Sequence, residues 1–179
     1  MQTLPIISSL ISDIVLVGED LIERAVYAYA SLHHSLAEGA GAAGLAAMLQ
    51  EPGRYAGRKV GLVLCGGNID TRLLAAIMVR ELEREDRIVA FRLTTSDRPG
   101  LLGKVASLLG DEGANILEVS HGRLFLDVPA KGVTLDVTVE TRGAEHSRAI
   151  EAALREGGFS PHRVLPRGLV DRSLAEPAR

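Results

Sequence analysis

The chain has 179 residues, of which 46% are hydrophobic but only 3% aromatic, and its formal net charge is −3. This length suits one large or two small domains with aliphatic cores, whereas the scarcity of aromatic residues and of basic runs excludes typical nucleic-acid binders. Cys65 is the single cysteine, so neither an internal disulfide nor a cysteine-based zinc site can form. Neither a signal peptide nor a membrane span is apparent, so we expect a cytoplasmic protein.

The first part of the chain has the pattern of alternating strands and helices. Residues 12–17 predict a short buried strand. Residues 58–65 predict another, and its lack of polar alternation is typical of parallel sheets buried on both faces. Helices are predicted from Gly18 onward, over 38–50 and over 71–85. The small residues of the helix at 38–50 predict close packing against a neighbouring backbone.

The charged run 80–87 marks a predicted domain boundary, after which the pattern changes. The predicted elements are a strand at 88–95, a helix at 99–110, strands at 115–121 and 132–141, a helix at 144–157 and a strand at 160–165. This βαββαβ order is that of a ferredoxin-like fold. Residues 166–179 are polar and predict a flexible tail. The five histidines show no metal-ligand spacing, so we expect no metal site and interpret them as surface or interface residues.

Two motifs carry a family resemblance. Residues 60–70 run from an apolar segment through Cys65-Gly66-Gly67-Asn68 into a helix, and residues 97–100 read Asp-Arg-Pro-Gly. In this order the chain resembles the C-terminal part of a pyridoxal-phosphate-dependent threonine/serine ammonia-lyase (threonine dehydratase, fold-type II), followed by its ACT domain. The resemblance implies an α/β protein with a catalytic-domain remnant at 1–86 and a regulatory ACT domain at 88–165.

The turn Cys65-Gly66-Gly67-Asn68 is a candidate ligand site because it follows a predicted buried strand, and open α/β sheets bind ligands at such strand ends. An ordinary tight turn is the alternative. The resemblance implies that, in an intact enzyme, these four residues contact the cofactor and Cys65 meets the pyridine nitrogen. Residues 38–42 resemble a family segment near the cofactor, although Glu38 capping a close-packed helix explains them equally well.

The resemblance also implies features that this chain lacks. The family's Schiff-base lysine lies in a Ser-X-Lys-X-Arg type motif, and a separate run of glycines holds the phosphate. The chain has only Lys59, Lys104 and Lys131, none with that context, and no run of three glycines. We therefore expect this chain alone to bind no pyridoxal phosphate and to be inactive in the family reaction, which eliminates water from threonine or serine. It reads as a fragment or a truncated relative.

The loop at 95–100 has two interpretations. In the first, Asp97 caps the following helix and Pro99 lies in its first turn. In the second, the resemblance implies that Asp97, Gly100 and Asn115 hold an effector amino acid at a dimer interface, although many ACT domains only dimerise. Two hypotheses follow: an ammonia-lyase-like protein with an amino-acid-sensing ACT domain, or a non-enzymatic regulatory protein that docks on a partner. Both predict a homo-oligomer, with a chain supplying the missing catalytic part as a further partner.

Overall fold

The structure is a computed structural model, and it describes residues 3–122 and 132–164. The predicted tail at 166–179 and Lys131 lie outside these residues. In chain order the described elements are α1 (Thr3–Leu10), α2 (Glu19–Ser31), α3 (Gly39–Gln50), α4 (Pro52–Tyr55), α5 (Thr71–Arg84), β1 (Ile88–Ser96), α6 (Leu101–Asp111), β2 (Asn115–Gly122), β3 (Gly132–Glu140), α7 (Ala144–Glu156) and β4 (Pro161–Val164). They form two compact units that divide between Ile77 and Met78, within α5.

The first unit is built on helices α2 and α3. Their apolar residues recur at helical spacing, and the small side chains of α3 allow close approach. The buried core consists of Ala25, Val26, Tyr29, Ala37, Ala42, Ala46 and Ile77. Helix α2 begins at Glu19, so Glu19 and Asp20 lie in its first turn, where carboxylates interact favourably with the helix dipole.

The strands predicted at 12–17 and 58–65 are wrong for the described structure, in which neither segment belongs to a sheet. A strand needs a hydrogen-bonded neighbour, and among the described residues none of positions 59–65 takes part in a backbone–backbone hydrogen bond. Both segments also expose apolar side chains, with Leu16 85% and Val63 84% exposed. The apolar pattern is therefore that of a strand, but no described segment pairs with it.

The second unit confirms the predicted βαββαβ order. Its four strands form one antiparallel sheet in the order β2-β3-β1-β4, and α6 and α7 pack on each other and on the core. In β1 and β3, every second side chain faces the core. The buried core consists of Val89, Phe91, Leu93, Val105, Leu109, Ala114, Leu135, Val137, Val139, Ile150, Leu154 and Phe159.

The strand register determines where the candidate site residues lie. Along β1, Ile88 pairs with Glu140 and Ser96 pairs with Gly132. Asn115, at the start of β2, also pairs with Glu140. Strands β1 and β2 are both antiparallel to β3, so they run in the same direction and their starts lie at the same end of the sheet.

Candidate functional site

The loop between β1 and α6 contains a tight turn at Pro99-Gly100. The Leu101 N–H donates to the Arg98 carbonyl at 3.2 Å, and Gly100 has φ 82° and ψ −1°. These angles are those of the third residue of a type II turn, in which proline is favoured at the second position. Glycine is required at 100 by its positive φ and not by crowding, since a Cβ there would meet no atom within 4 Å.

The prediction that Asp97 caps the helix is wrong. Helix α6 begins at Leu101, its N-cap is Gly100, and no side chain provides a cap hydrogen bond. Pro99 accordingly lies in the turn before the helix and not in its first turn. The physical reason is that the Pro-Gly turn comes between Asp97 and the first helical residue, which removes Asp97 from the N-cap position.

Asn115 lies at the other end of the sheet, in a polar cleft of about 460 Å³. Its Nδ2 donates to Glu140 Oε2 at 3.3 Å. The cleft is lined by Arg87, Gly113, Asn115, Glu140, Thr141, Arg142 and His146. It combines guanidinium groups with a carboxylate and an amide, so both charges of a zwitterion find complementary groups around Asn115.

One wall of this cleft is held by His146, which sequence analysis interpreted as a surface or interface residue. The side chain is buried, with 8% exposed. Its Nδ1 accepts a hydrogen bond from the Arg142 N–H at 3.1 Å, which leaves Nε2 to donate to the Glu112 carbonyl at 2.8 Å. The signal that could have identified it is its place in the first turn of α7, on the same face as Ile150 and Leu154.

Asp97 and Asn115 do not come together within one chain. Asp97 follows the end of β1, whereas Asn115 lies level with the start of β1. The eight steps from Ile88 to Ser96 span about 26 Å at about 3.3 Å per residue. A single amino acid is far too short to contact both, so a site that uses both residues needs two chains.

Strand β2 is an edge strand with a largely exposed length. Ile116, Leu117 and Val119 are exposed, Leu117 by 49%. An edge strand presents a row of N–H and C=O groups that can pair with another strand. Apolar residues along such an edge favour pairing with a second polypeptide.

A second cleft, of about 470 Å³, lies between the start of α6 and the turn that follows α7; we call it the α6–α7 cleft. It is lined by Thr95, Ser96, Arg98, Pro99, Gly100, Leu101, Lys104, Gly157, Gly158 and Phe159. Lys104 Nζ donates to the Gly157 carbonyl at 2.7 Å and lies 5.4 Å from the centroid of the Phe159 ring. Gly100 therefore faces this cleft, while Asp97 is not among its lining residues.

In the first unit, the turn at Cys65-Gly66 packs against the start of α3. The Glu38 N–H donates to the Gly66 carbonyl at 2.7 Å, and a Cβ on Gly41 would lie 1.7 Å from the Cys65 carbonyl oxygen. The predicted close approach of α3 to a backbone is thus confirmed. Glu38 occupies the N-cap position of α3, but its side chain makes no cap hydrogen bond.

The described residues do not fit a covalently held pyridoxal phosphate. Cys65 and Asn68 are exposed. Among the described residues, no hydrogen bond or ion pair joins Lys59 to their turn, and Lys104 lies in the other unit with its amine bonded to Gly157. A Schiff base needs an amine held against the cofactor, so no catalytic step follows from this arrangement.

Within residues 3–122 and 132–164, no group of three or more histidine, cysteine, aspartate or glutamate residues is arranged to hold a metal ion. Over the same residues, no helix combines the length and the apolar character needed to span a membrane.

Comparison with known proteins identifies both relatives and a domain. The ACT domain family matches residues 89–156. The chain is 33% identical to an L-threonine ammonia-lyase of Geobacter sulfurreducens over 159 residues, which cover 89% of this chain and 40% of the relative. It is 32% identical to an L-threonine ammonia-lyase of Thermotoga maritima over 157 residues, which cover 88% of this chain and 39% of that protein.

The chain thus spans about 40% of the length of the curated relatives that it matches. Among solved structures, a protein from Galdieria sulphuraria has a TM-score of 0.37 at 19% identity and covers 45% of this chain and 46% of that one. The regulatory subunit of aspartate kinase from Thermus thermophilus has a TM-score of 0.34 at 22% identity, and the match covers 44% of this chain and 50% of that subunit. The sequence matches are decisive: the chain is a threonine ammonia-lyase-related protein that contains an ACT domain.

Proposed function

We propose that this protein joins an amino-acid-sensing ACT domain to a remnant of a threonine ammonia-lyase catalytic domain at residues 1–86. The observation that carries the proposal is the extent of the match to the ammonia-lyases, which is 159 residues and not only the ACT segment at 89–156. The chain is inactive alone because it lacks the lysine motif and the glycine run. Cys65, Gly66, Gly67 and Asn68 bind cofactor only within an intact enzyme, and the protein acts in the cytoplasm.

The effector site is formed by two chains. Strands β1 and β2 run parallel, so Asp97 and the start of β2 mark opposite ends of the sheet. If β2 pairs with the same strand of a second copy in antiparallel fashion, the start of one β2 lies beside the end of the other. This pairing brings Asn115 of the partner subunit to the end of the sheet that carries Asp97. A twofold arrangement of this kind is the commonest in homo-oligomers.

At such an interface the chemistry matches a free amino acid. The Asp97 carboxylate attracts the ammonium group, while the amide of the partner subunit's Asn115 donates to the carboxylate. The turn at Gly100 brings the backbone of the loop close to the ligand. Small residues around the loop, Thr95, Ser96 and Gly100, favour branched-chain or hydroxy amino acids over aromatic ones.

A second candidate function is docking without an effector. The observation that favours it is the pair of apolar segments in the first unit. Their side chains Leu16 and Val63 are 85% and 84% exposed. Large exposed apolar patches mark association sites. In this alternative the protein is non-enzymatic: the ACT domain only dimerises, and the first unit docks on a partner chain.

The test of the effector site is calorimetry with isoleucine, valine, threonine and serine. Asp97→Ala and Asn115→Ala should each weaken binding about tenfold or more, because each removes a hydrogen bond to a charged group. Mixing the two variants in equal amounts should restore about a quarter of the tight sites, since about half of the dimers are then mixed and one of the two sites of each mixed dimer is intact. Binding unchanged in both variants would place the effector elsewhere, and no binding of any of the four would favour the docking function.

The test of inactivity uses the purified chain with added pyridoxal phosphate. No stable band should appear between roughly 400 and 430 nm, where enzyme-bound aldimines absorb, and turnover of L-threonine should stay at background. A band trapped by borohydride on one specific lysine would contradict the proposal. A parallel assay adds the missing catalytic part as a separate chain. Activity should return in that assay if the first unit binds the added chain.

A further inference from the structure

We propose that His146 positions Asn115, the residue that each chain contributes to the effector site, and that it makes this site sensitive to pH. His146 forms two hydrogen bonds, one to the Glu112 carbonyl and one from the Arg142 N–H, and we call this arrangement the His146 clasp. The inference rests on the proposed function, since it names a regulation of the same site. The clasp itself can be tested without any effector.

The His146 clasp closes a ring of contacts around the start of β2. One hydrogen bond reaches the Glu112 carbonyl, three residues before Asn115, in the turn between α6 and β2. The other comes from the Arg142 N–H, two residues after Glu140, in the turn between β3 and α7. Asn115 and Glu140 are register partners, and their side chains are joined by a hydrogen bond of 3.3 Å. The position of Asn115 therefore depends on how the two turns are held together at His146.

Within the described part of the chain, His146 provides the only hydrogen-bonded connection between the two turns. Residues 112–114 and residues 141–143 make their other hydrogen bonds elsewhere in the ACT unit. The Arg142 guanidinium also lies near Gly113, where an added Cβ would be 3.3 Å from Nη1. A long side chain loses more conformational entropy when it is held than a backbone group bonded to a buried ring does. The clasp is therefore the firmer of the two connections.

Protonation of His146 breaks one half of the clasp. The neutral imidazole has one acceptor nitrogen, whereas the imidazolium has two N–H donors and no acceptor. Nδ1, which lies 3.1 Å from the Arg142 nitrogen, then carries a hydrogen that faces another N–H. Nε2 still donates to the Glu112 carbonyl, so the turn before α7 is released while the turn before β2 stays held. The clasp is complete with the neutral ring, and it is lost as the pH falls through the range in which histidine gains its charge.

The charged groups around His146 leave a positive ring without a partner in place. The charged residues of the surrounding elements are Arg87, Glu112, Glu140, Arg142 and Glu145. Among the described residues, no carboxylate forms an ion pair with the imidazole. His146 also lies in the first turn of α7, where the helix dipole opposes a positive charge. A charged ring is therefore accommodated by movement of the turn that carries Arg142.

The first experiment uses nuclear magnetic resonance of the isotope-labelled full chain and needs no effector. At about pH 8 the ring of His146 should be the neutral tautomer with its hydrogen on Nε2. As the pH is lowered to about 5.5, the backbone amide of Arg142 and the side-chain amide of Asn115 should shift together with the ring signals of His146. A hydrogen on Nδ1 at the higher pH would overturn the clasp. An Asn115 amide that does not respond to protonation of the ring would overturn the positioning role.

The second experiment is calorimetry with isoleucine, valine, threonine and serine at the same two pH values, between which a free amino acid stays a zwitterion. The dissociation constant of an amino acid that binds should be about tenfold larger at the lower pH, because Asn115 is then less well held. His146→Gln places a neutral amide that both accepts and donates, and it should reduce this pH effect to about twofold or less. His162→Gln removes an exposed histidine of β4, so it is the matched control and should keep the full pH effect.

The outcomes separate the clasp from the effector site. A full pH effect in His146→Gln would overturn the proposal, and so would its loss in His162→Gln. If His146→Gln does not fold, the spectra of the parent protein still decide whether protonation of His146 reaches Asn115. Absence of binding by all four amino acids would overturn the effector site and its regulation, whereas the spectra would still confirm or refute the clasp.

Discussion

The two units of this protein differ in how completely their extended segments form backbone hydrogen bonds with neighbouring strands. In the ACT unit, β1 is hydrogen-bonded to a strand on each side and its centre is buried. In this four-stranded sheet, β2 and β4 are the edge strands. In the first unit, the two apolar segments at 12–17 and 58–65 have no strand partner among residues 3–122 and 132–164, although the unit has a small helical core. A sequence can therefore keep the pattern of a buried strand in a region whose described residues form no sheet.

Hydrogen exchange provides the largest expected contrast between the units. Amides at 59–65 should exchange about 1,000-fold faster or more than those of β1 and β3, because they lack backbone acceptors while the central strands open only with the whole domain. The measurement is mass spectrometry of exchanged peptides. Addition of a chain that supplies the missing catalytic part should slow exchange at 59–65. Strong protection of 59–65 in the isolated protein would show that this segment pairs in solution.

Truncation of an apolar side chain should give the second-largest contrast between the units, measured as the loss in the free energy of unfolding. Leu135→Ala removes a fully buried side chain from β3 and should lower the free energy of unfolding by about 2–5 kcal/mol. Leu16→Ala, at a site that is 85% exposed, should change it by less than about 0.5 kcal/mol. Urea denaturation followed by circular dichroism measures both. A large loss from Leu16→Ala would show that the first unit buries this residue in solution.

Gly41→Ala tests the close approach of α3 to the Cys65 turn. The added Cβ would collide with the Cys65 carbonyl oxygen at 1.7 Å, and this atom belongs to the backbone, so α3 or the turn must move. We expect a loss of about 1–3 kcal/mol, as for overpacked cores. Gly53→Ala is the control, because a Cβ there meets no atom within 4 Å. An unchanged unfolding transition in Gly41→Ala would show that the turn is not held against α3.

The Arg92–Asp136 pair tests how much an ion pair between β1 and β3 stabilises the ACT unit. The two residues face each other across β1 and β3, and the guanidinium donates to both carboxylate oxygens at 2.7 and 2.8 Å. This hydrogen bonding raises the pKa of Arg92. Asp136→Asn should destabilise the ACT unit by about 1 kcal/mol, at the low end for charged hydrogen bonds because Arg92 is partly solvated. Loss of stability equal to that of Leu135→Ala would contradict this ranking.

Glu83, on α5, provides the smallest effect. Burial raises the pKa of its carboxyl, with an opposing contribution from Arg80, and its buried Oε1 has no hydrogen-bond partner in the described part of the chain. The folded protein therefore binds this proton more tightly than the unfolded chain, and stability falls as pH rises from the ordinary pKa of the carboxyl through its raised value. Glu83→Gln should be more stable than the parent at neutral pH by less than about 1 kcal/mol. This advantage should vanish in acid, as unfolding curves at several pH values can check.

How much of the fold could be predicted depended on whether a segment pairs with its neighbours in the described chain. The near-strict alternation at 132–141 predicted β3, and the turn after Gly113 predicted β2, because both strands find partners close by in the sequence. The apolar run at 58–65 has an equally clear pattern and was predicted wrongly. Its periodicity reports only which side chains avoid water, not whether a neighbouring strand is present.

The candidate site was predicted only in part for a similar reason. Asp97, Gly100 and Asn115 could be selected from their motifs, but their separation by about the length of β1 depends on the register of three strands. The role of His146 depends on the Arg142 N–H, which is four residues earlier, and on the Glu112 carbonyl, which is 34 residues away in the chain. No local pattern predicts the second of these contacts.

By itself, the sequence determined the order of elements in the ACT unit, the glycine that the loop turn requires, and the close packing of α3, because each follows from local periodicity, backbone freedom or side-chain size. Only the tertiary structure decided which ends of the sheet the site residues occupy, which cations line the α6–α7 cleft, and which apolar segments pair with no other described segment. These features depend on contacts between residues far apart in the chain, and such contacts are set by the packing of whole elements.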